Sequence, residues 1–288
     1  MKTAIKAIIK SLMPWYFRDM ILYRRRFGYF PNLSNPQTFN EKIFKRKRTQ
    51  CFDNELYSTL ADKYKVRYFV SVIIGSEYLV PVIDVFSDIN AFKKNIFNYK
   101  NVVIKPNHGS GMVIFVGDYL KYRDAIKVIR DVKRWMRTDF SKIACEYHYR
   151  NIRRKLIVEQ MLGDINSPPT DYKFHIFKKR EGIFFVLQVV ERNHERPPIF
   201  TTYVNNLEQP YKGYYSLTKE HINIARRALE QSIKLIYVLE YARIDWLVYD
   251  NQLYFSEITL TPASGYVTGL GKELDLLMGQ QWELPIKI

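Results

Sequence analysis

Apolar residues recur along this chain with two different periods, and the switches between them mark out its elements. In the first thirteen residues Ile5, Ile8, Ile9 and Leu12 fall at i, i+3, i+4 and i+7, with Lys2, Lys6 and Lys10 on another face. That is an amphipathic helical period, and Pro14 ends it. Thr38-Phe39-Asn40-Glu41 has capping-box spacing behind Pro36, which predicts a helix from near Phe39 through Lys45 to Arg48. Asp62 to about Ile74 reads as a further helix closed by Gly75, and Tyr78 to Phe86 as a strand.

From Asn101 the period changes. Val102 to Ile104 form a short β-branched strand, Pro106 to Gly111 a loop, and Met112 to Val116 a returning strand. A helix from about Arg123 to Arg137 follows, then another through Glu146, then a strand at Leu156 to Glu159. Two hairpins come next. Tyr172 to Lys178 and Ile183 to Val190 flank a charged turn, and Ile244 to Tyr249 and Leu253 to Ile258 flank Asp250-Asn251, with a long helix from Thr218 to Glu240 between the hairpins. No repeat or low-complexity linker divides the chain. The expected class is α+β with mainly antiparallel sheets. No apolar run approaches the ~18 to 20 residues of a membrane span.

Composition sharpens this picture in one respect. The chain of 288 residues is 47% hydrophobic and carries 45 Lys and Arg against 29 Asp and Glu, a formal charge of +16. Residues 1 to 50 hold twelve of the basic side chains and two acids, so +10 sits there and only +6 in the rest. The run Lys45 to Arg48 reads as a solvated helix face. Lys6 and Lys10 interrupt the first apolar stretch and no small-residue cleavage site follows, which argues against a signal peptide. The first helix is read either as packed on the protein's own core or as lying on a membrane surface. Two cysteines, Cys51 and Cys145, make neither a disulfide framework nor a zinc pair, so a reducing compartment is expected.

Three constellations have chemistry in them. If the last hairpin turns about Asn251, Asp245 lies directly across from Glu257, with Cβ atoms ~4.5 to 5.5 Å apart. Period 2 puts Arg243 and Thr259 on the same face and Trp246 and Ile258 on the other. Two carboxylates this close call for a divalent cation, Mg²⁺ rather than zinc for all-oxygen donors, or for neutralisation by Arg243 or a lysine. In the other hairpin Asp171, Lys173 and His175 share a face, Lys173 pairs with Gln188, and Arg192 lies further along. The loop Lys105-Pro106-Asn107-His108-Gly109-Ser110-Gly111 offers glycine backbone N-H groups and a lysine to a phosphate. It is not a Walker A loop, because the lysine comes first and a strand follows. A plain hairpin loop is the other reading, with His108 a loop histidine or a phosphate contact.

Taken in order, Asp62-Lys63, VIKPNHGSG at 103 to 111, LIVEQML at 156 to 162, DYKFHIF at 171 to 177, RIDW at 243 to 246 and SEITLTPASGY at 256 to 266 resemble the ATP-grasp superfamily of carboxylate-amine ligases. NPQTFNEKIF, DYKF and EITLTPASG resemble its TupA-like branch, which serves teichuronopeptide and other bacterial surface-polysaccharide biosynthesis. The resemblance covers roughly residues 36 to 270. It implies two α+β lobes clasping ATP, with a basic N-terminal segment (1–50), a pre-ATP-grasp region (51–100), a small lobe (101–160) and a large lobe (161–288).

It also implies roles. Lys63 and Lys105 hold nucleotide phosphates under a flap containing His108, Gly109, Ser110 and Gly111. Glu159, Gln160 and Leu162 read the adenine, and Asp164 meets the ribose. Lys173 and Arg192 line the phosphoryl-transfer side, and Asp245 and Glu257 hold Mg²⁺ with Thr259 where the superfamily commonly has Asn. The implied chemistry is carboxylate activation by ATP to an acylphosphate, then amide formation with an amine, on substrates such as a uronic acid and an amino acid. The competing classes are a sugar-modifying transferase of the same pathway, whose DXD-type element Asp245 and Glu257 match poorly, and a nucleic-acid binder, suggested by a pI of 9.6 and 22 tyrosines. The chain has no helix-turn-helix, zinc or RNP-like motif, so no nucleic-acid partner is expected. The expected location is the cytoplasm, with residues 1 to 35 attracted to the anionic inner membrane face.

Overall fold

The computed structural model describes residues 14–193, 196–213 and 216–285; the helix expected over the first thirteen residues lies outside them. Helix α1 (Trp15–Phe27) is followed by α2 (Phe39–Arg48), where the capping box is present: Thr38 accepts from Glu41 N, and Glu41 reaches back to the Thr38 N-H. Two antiparallel sheets follow, an α+β arrangement.

The smaller sheet has order β1-β4-β2-β3, with β1 (Val82–Phe86), β2 (Val102–Pro106), β3 (Ile114–Val116) and β4 (Leu156–Gln160). Alternation sorts its faces. Val102, Ile104, Leu156 and Val158 pack against α5 (Ile89–Asn95) and α6 (Tyr122–Arg137) through Phe92, Val128, Val132 and Trp135. Lys105 and Glu159 therefore look the opposite way.

The larger sheet has order β7-β6-β5-β8-β9: β5 (Thr170–Lys179), β6 (Gly182–Asn193), β7 (Arg196–Val204), β8 (Tyr241–Tyr249) and β9 (Gln252–Thr259). Tyr172, Phe174, Ile176, Ile244 and Trp246 face a core built with α3 (Glu55–Ala61), α4 (Val66–Ile73) and α8 (Lys219–Leu235), the short α7 (Phe140–Ala144) standing apart from it. The other face is divided along its length. At one end Phe177, Val186 and Tyr241 are covered by Phe39 and Ile43 of α2 and by Met278 of α9 (Gly271–Gln281), with Trp282 beyond it. At the other end stand His175, Lys173 and Asp171.

Several expectations are corrected. The helix expected over 62–74 starts only at Val66, because Asp62 turns its carboxylate onto the N-H groups of Tyr64 and Lys65 and breaks the chain there. The strand expected from Tyr78 begins at Val82, after a 3₁₀ turn at Ser76–Tyr78, and it joins the small sheet beside β4. Strand β7 escaped notice because Pro197-Pro198 does not read as a strand; it is an edge strand, where proline is tolerated. The Lys45-to-Arg48 run is not a solvated face. Arg46 and Lys47 are fully buried. The Arg46 guanidinium donates to Tyr241 O (2.9 Å) and Leu260 O (3.0 Å) and pairs with Glu240 (2.5 Å), while Lys47 pairs with Asp19 (2.8 Å).

Candidate active site

Strands β5, β8 and β9 bring the acidic and basic residues of the large sheet onto one face. Lys173 pairs with Asp245, and Asp245 with Glu257. The last pairing depends on a bulge. The two-residue turn Asp250-Asn251, both at positive φ, sets Tyr249 opposite Gln252, and the extra residue Ser256 then shifts the register so that Asp245 meets Glu257.

Arg243 occupies the centre of this face. Its Nε and Nη2 grip the two oxygens of Asp245 at 2.6 Å each, and Nη2 also donates to Thr259 Oγ1 (3.1 Å) and Glu257 Oε1 (3.4 Å). Lys173 Nζ lies 2.9 Å from the other side of Asp245 and 3.4 Å from Asp171, which in turn receives Arg192 Nε at 2.6 Å. Asp245 is only 1% exposed, whereas the Glu257 side chain retains 24%. Burial works against the charge of Glu257, but Lys63, Arg243 and Lys173 outweigh it and hold the carboxyl well below the usual carboxylate range.

The small sheet contributes a second cluster. Glu159 is buried between Lys105 (2.6 Å) and Arg67 of α4 (3.3 Å). Lys63 joins the two clusters: its Nζ lies 3.1 Å from Glu257 Oε2 and donates to Gly109 O at 2.7 Å. Asn107 fixes that lysine's backbone. Its amide donates to Asp62 Oδ1 and Arg153 O, its side-chain oxygen accepts from Lys155 N, and its carbonyl accepts from Lys63 N. Gly109 sits at φ 80°, and a Cβ there would lie 2.6 Å from the Phe140 ring, so the loop closes over Phe140 only with glycine. Ser110 and Gly111 are exposed. His108 is buried beneath the loop against Trp135 O (3.2 Å).

Four cations (Lys63, Lys173, Arg192, Arg243) thus meet three carboxylates (Asp171, Asp245, Glu257) across the two sheets, and Lys105 and Arg67 add two more against Glu159. A net positive cluster of side chains that also carries carboxylate oxygens is suited to a polyanion. The neutralisation of the carboxylate pair by Arg243 and a lysine is therefore realised, with Lys173 and Lys63 both taking part.

The family model described as TupA-like ATPgrasp matches residues 41–283. This chain belongs to the TupA-like ATP-grasp family. Similar solved structures include D-alanine-D-alanine ligase from Helicobacter pylori, 15% identical with a TM-score of 0.48, covering 78% of this chain and 61% of that one. N5-carboxyaminoimidazole synthetase from Staphylococcus aureus complexed with ADP is 14% identical, TM-score 0.46, covering 79% and 53%. VanG D-Ala:D-Ser ligase from Enterococcus faecalis is 14% identical, TM-score 0.45, covering 79% and 62%. The chain thus spans less than two thirds of the length of each. No curated protein sequence gives a significant match.

Within this ATP-grasp chain the remaining expected positions lie at the end of β4, an inner strand of the small sheet, and in the loop after it. Gln160 is exposed and Leu162 buried, and Asp164 caps its own loop by accepting from Asn166 N and Ser167 N. Sequence reasoning missed Arg67, which holds Glu159 from a separate helix, and treated Arg243 only as a neutraliser. Its place two residues before Asp245 on one strand face was the available signal.

Three buried histidines, His175, His148 and His108, give the protein an acid limit, His108 being lowered by burial and by Arg154. Burial, with Arg243 nearby, lowers His175 from 6.5 to about 3, and burial with Arg46 and Lys47 does the same to His148. Both must charge on unfolding, so their contribution is complete above pH 6.5 and is lost as pH falls toward about 3. Glu146 opposes this: burial raises it from 4.5 to about 7, so its contribution is complete below 4.5 and is lost as pH rises through about 7. Between these limits the protons of His175 and His148 are set against one of Glu146, with His108 on the histidines' side, and stability is expected to fall by about 1.4 kcal/mol per pH unit or more from pH 6.5 down to 4.5. Chemical denaturation at a series of pH values checks this; a flat profile over that window contradicts it.

Proposed function

We propose that this protein is an ATP-dependent carboxylate-amine ligase. The observation that carries the reading is the Lys63–Glu257 ion pair, through which a lysine held against the Gly109 loop of the small sheet meets the carboxylate pair of the large one. Lys63 and Lys105 bind the phosphates beneath the loop 107–111, and Glu159, Gln160 and Leu162 line the adenine side with Asp164 toward the ribose. One oxygen of the substrate carboxylate attacks the γ-phosphorus and ADP leaves. The amine then attacks the acyl carbon, phosphate leaves, and the amine proton passes to solvent. Arg243, Lys173 and Arg192 orient the acid and neutralise the oxygens on which charge accumulates, which is the main catalytic work such a transfer asks of a protein.

Mg²⁺ would be held here by Asp245, Glu257 and Thr259 once Lys63, Lys173 and Arg243, which now occupy the carboxylate oxygens, turn to the nucleotide phosphates. Asp245 and Glu257 with the Thr259 hydroxyl are hard oxygen donors, Glu257 is held ionised, and Mg²⁺ is commonly bound by one or two carboxylates together with substrate phosphates. When bound it supplies charge neutralisation at the phosphate oxygens. Among the described residues no group of three or more His, Cys, Asp or Glu gathers as a closed metal centre.

The proposed acid is a uronic acid, the amine an amino acid, and the product an amide in a bacterial capsule, O-antigen or cell-wall polymer. The protein would work in the cytoplasm, at the inner face of the membrane. No helix among the described residues is long and apolar enough to cross one. Incubation with ATP, Mg²⁺ and pairs of uronic acids and amino acids tests the reaction. ADP release that requires both partners, with a product whose mass is that of acid plus amine less one water, supports the ligase. Sugar transfer from a nucleotide sugar without ADP formation would overturn it.

A further inference from the structure

The first helix is amphipathic in an unusual sense. Only Asp19 and Tyr23 of α1 are buried, and the side that faces away carries large apolar rings. Tyr16, Phe17, Leu22, Tyr29, Phe30 and the neighbouring Phe52 each expose between 36 and 54% of their surface. Trp15, Tyr16, Phe17, Met20, Ile21 and Phe30 line one open groove. So much contiguous aromatic surface is normally covered by something.

Charge narrows what covers it. Arg24, Arg25 and Arg26 are exposed in the last turn of α1, and the Arg24 guanidinium lies 4.9 Å above the Phe30 ring. Both acids of the first fifty residues are withdrawn from the surface. Asp19 is buried against Lys47 (2.8 Å), Arg48 (2.9 Å) and the Tyr266 hydroxyl (2.5 Å), and Glu41 accepts the N-H groups of Asn32, Gln37 and Thr38. Although Arg46 and Lys47 are spent in the interior, the charge that α1 presents outward is therefore wholly positive. The sequence ahead of it repeats the same chemistry, with Ile5, Ile8, Ile9 and Leu12 beside Lys2, Lys6 and Lys10.

We infer that this aromatic groove with its arginine rim docks on an anionic lipid bilayer. Tyrosine and tryptophan rings favour the headgroup boundary, arginines are drawn to anionic headgroups, and stable surface binding takes an apolar and a basic signal together. The inference rests on the membrane-face part of the function proposed above and not on the ligase chemistry.

Vesicle co-sedimentation of the full chain tests it, using phosphatidylcholine alone and phosphatidylcholine with about a quarter phosphatidylglycerol. The wild type is expected to bind the anionic vesicles at least about tenfold more tightly than the neutral ones and to keep part of that binding at about 0.5 M salt, where charge alone is screened. Tyr16→Ser/Phe17→Ser/Phe30→Ser should remove the salt-resistant part. Arg24→Ala/Arg25→Ala/Arg26→Ala should remove the preference for anionic lipid. Both variants should form ADP in solution as the wild type does, so loss of docking and failure of the ligase reading are told apart. Wild-type indifference to vesicles, or triple-serine binding equal to wild type, would overturn the inference. So would a wild-type dimer that the serine variant dissolves, which would make a second copy the occupant. Tighter vesicle binding after deletion of residues 2–13 would also overturn it, since that segment would then be what covers the groove.

Discussion

Glu257→Gln is expected to lower ADP formation by about a thousandfold or more while shifting the melting temperature by only a few degrees, and Lys105→Ala to do the same. The separation of the two effects follows from how the charges are shared. Glu257 is the more exposed of the two facing carboxylates, and the amide keeps its shape and its ability to accept from Thr259. Its loss leaves Asp245 gripped by Arg243 and Lys173, and Lys63 keeps the Gly109 carbonyl and the new amide oxygen as acceptors. What disappears is the ionised oxygen that Lys63 reaches from beside the Gly109 loop, and with it half of the carboxylate pair proposed to hold Mg²⁺. In Lys105→Ala the buried Glu159 keeps Arg67 as its counter-ion. The phosphate contact is lost, but the fold of the small sheet is not. Steady-state ADP assays beside thermal melts measure both quantities. Full turnover in either variant would remove these residues from the site.

Arg46→Met is expected to have the largest effect on stability, about 3 to 5 kcal/mol, or a melting temperature lower by roughly 10 °C. Arg46 comes from α2, but its partners are Tyr241 O at the start of β8, Leu260 O just past β9, Glu240 and Gln50, and its guanidinium lies 4.6 Å over the Trp282 ring. A methionine fills much of the volume and satisfies none of these acceptors, leaving two buried carbonyls without this donor and the Glu240 carboxylate without its cation, held only by the Gln50 and Trp282 N-H groups. Adding Glu240→Gln should recover part of the loss, because the stranded charge is removed while the carbonyls stay unpaired. Thermal melts of the single and double variants check this. A single variant as stable as wild type would mean that the α2 junction contributes little.

Much of the site was legible because strands impose a period of two. Alternation alone placed Lys173 opposite Gln188 and grouped Asp171 with His175, and the structure keeps both. The facing of Asp245 and Glu257 was also read from the hairpin, yet through a turn centred half a residue away from the real one. The bulge at Ser256 corrected the count. Residue types in a short turn set its local geometry, whereas a bulge is chosen by how the strand must pack, and nothing in the local sequence announces it.

The sequence by itself determined what is local: the capping box at Thr38, the alternating faces of the hairpins, the glycine loop after Lys105, and the order of motifs that mark an ATP-grasp chain. The tertiary structure decided which charges face which. Arg46 and Lys47 look like any basic run until α2 is laid against β8 and the loop at Ser264, and Lys63 acquires meaning only when it meets Glu257, far along the chain. A formal charge counts the same on a surface as in the core. Whether it is solvated, neutralised or aimed at a substrate depends on contacts between distant segments, and those are fixed only when the two sheets pack together.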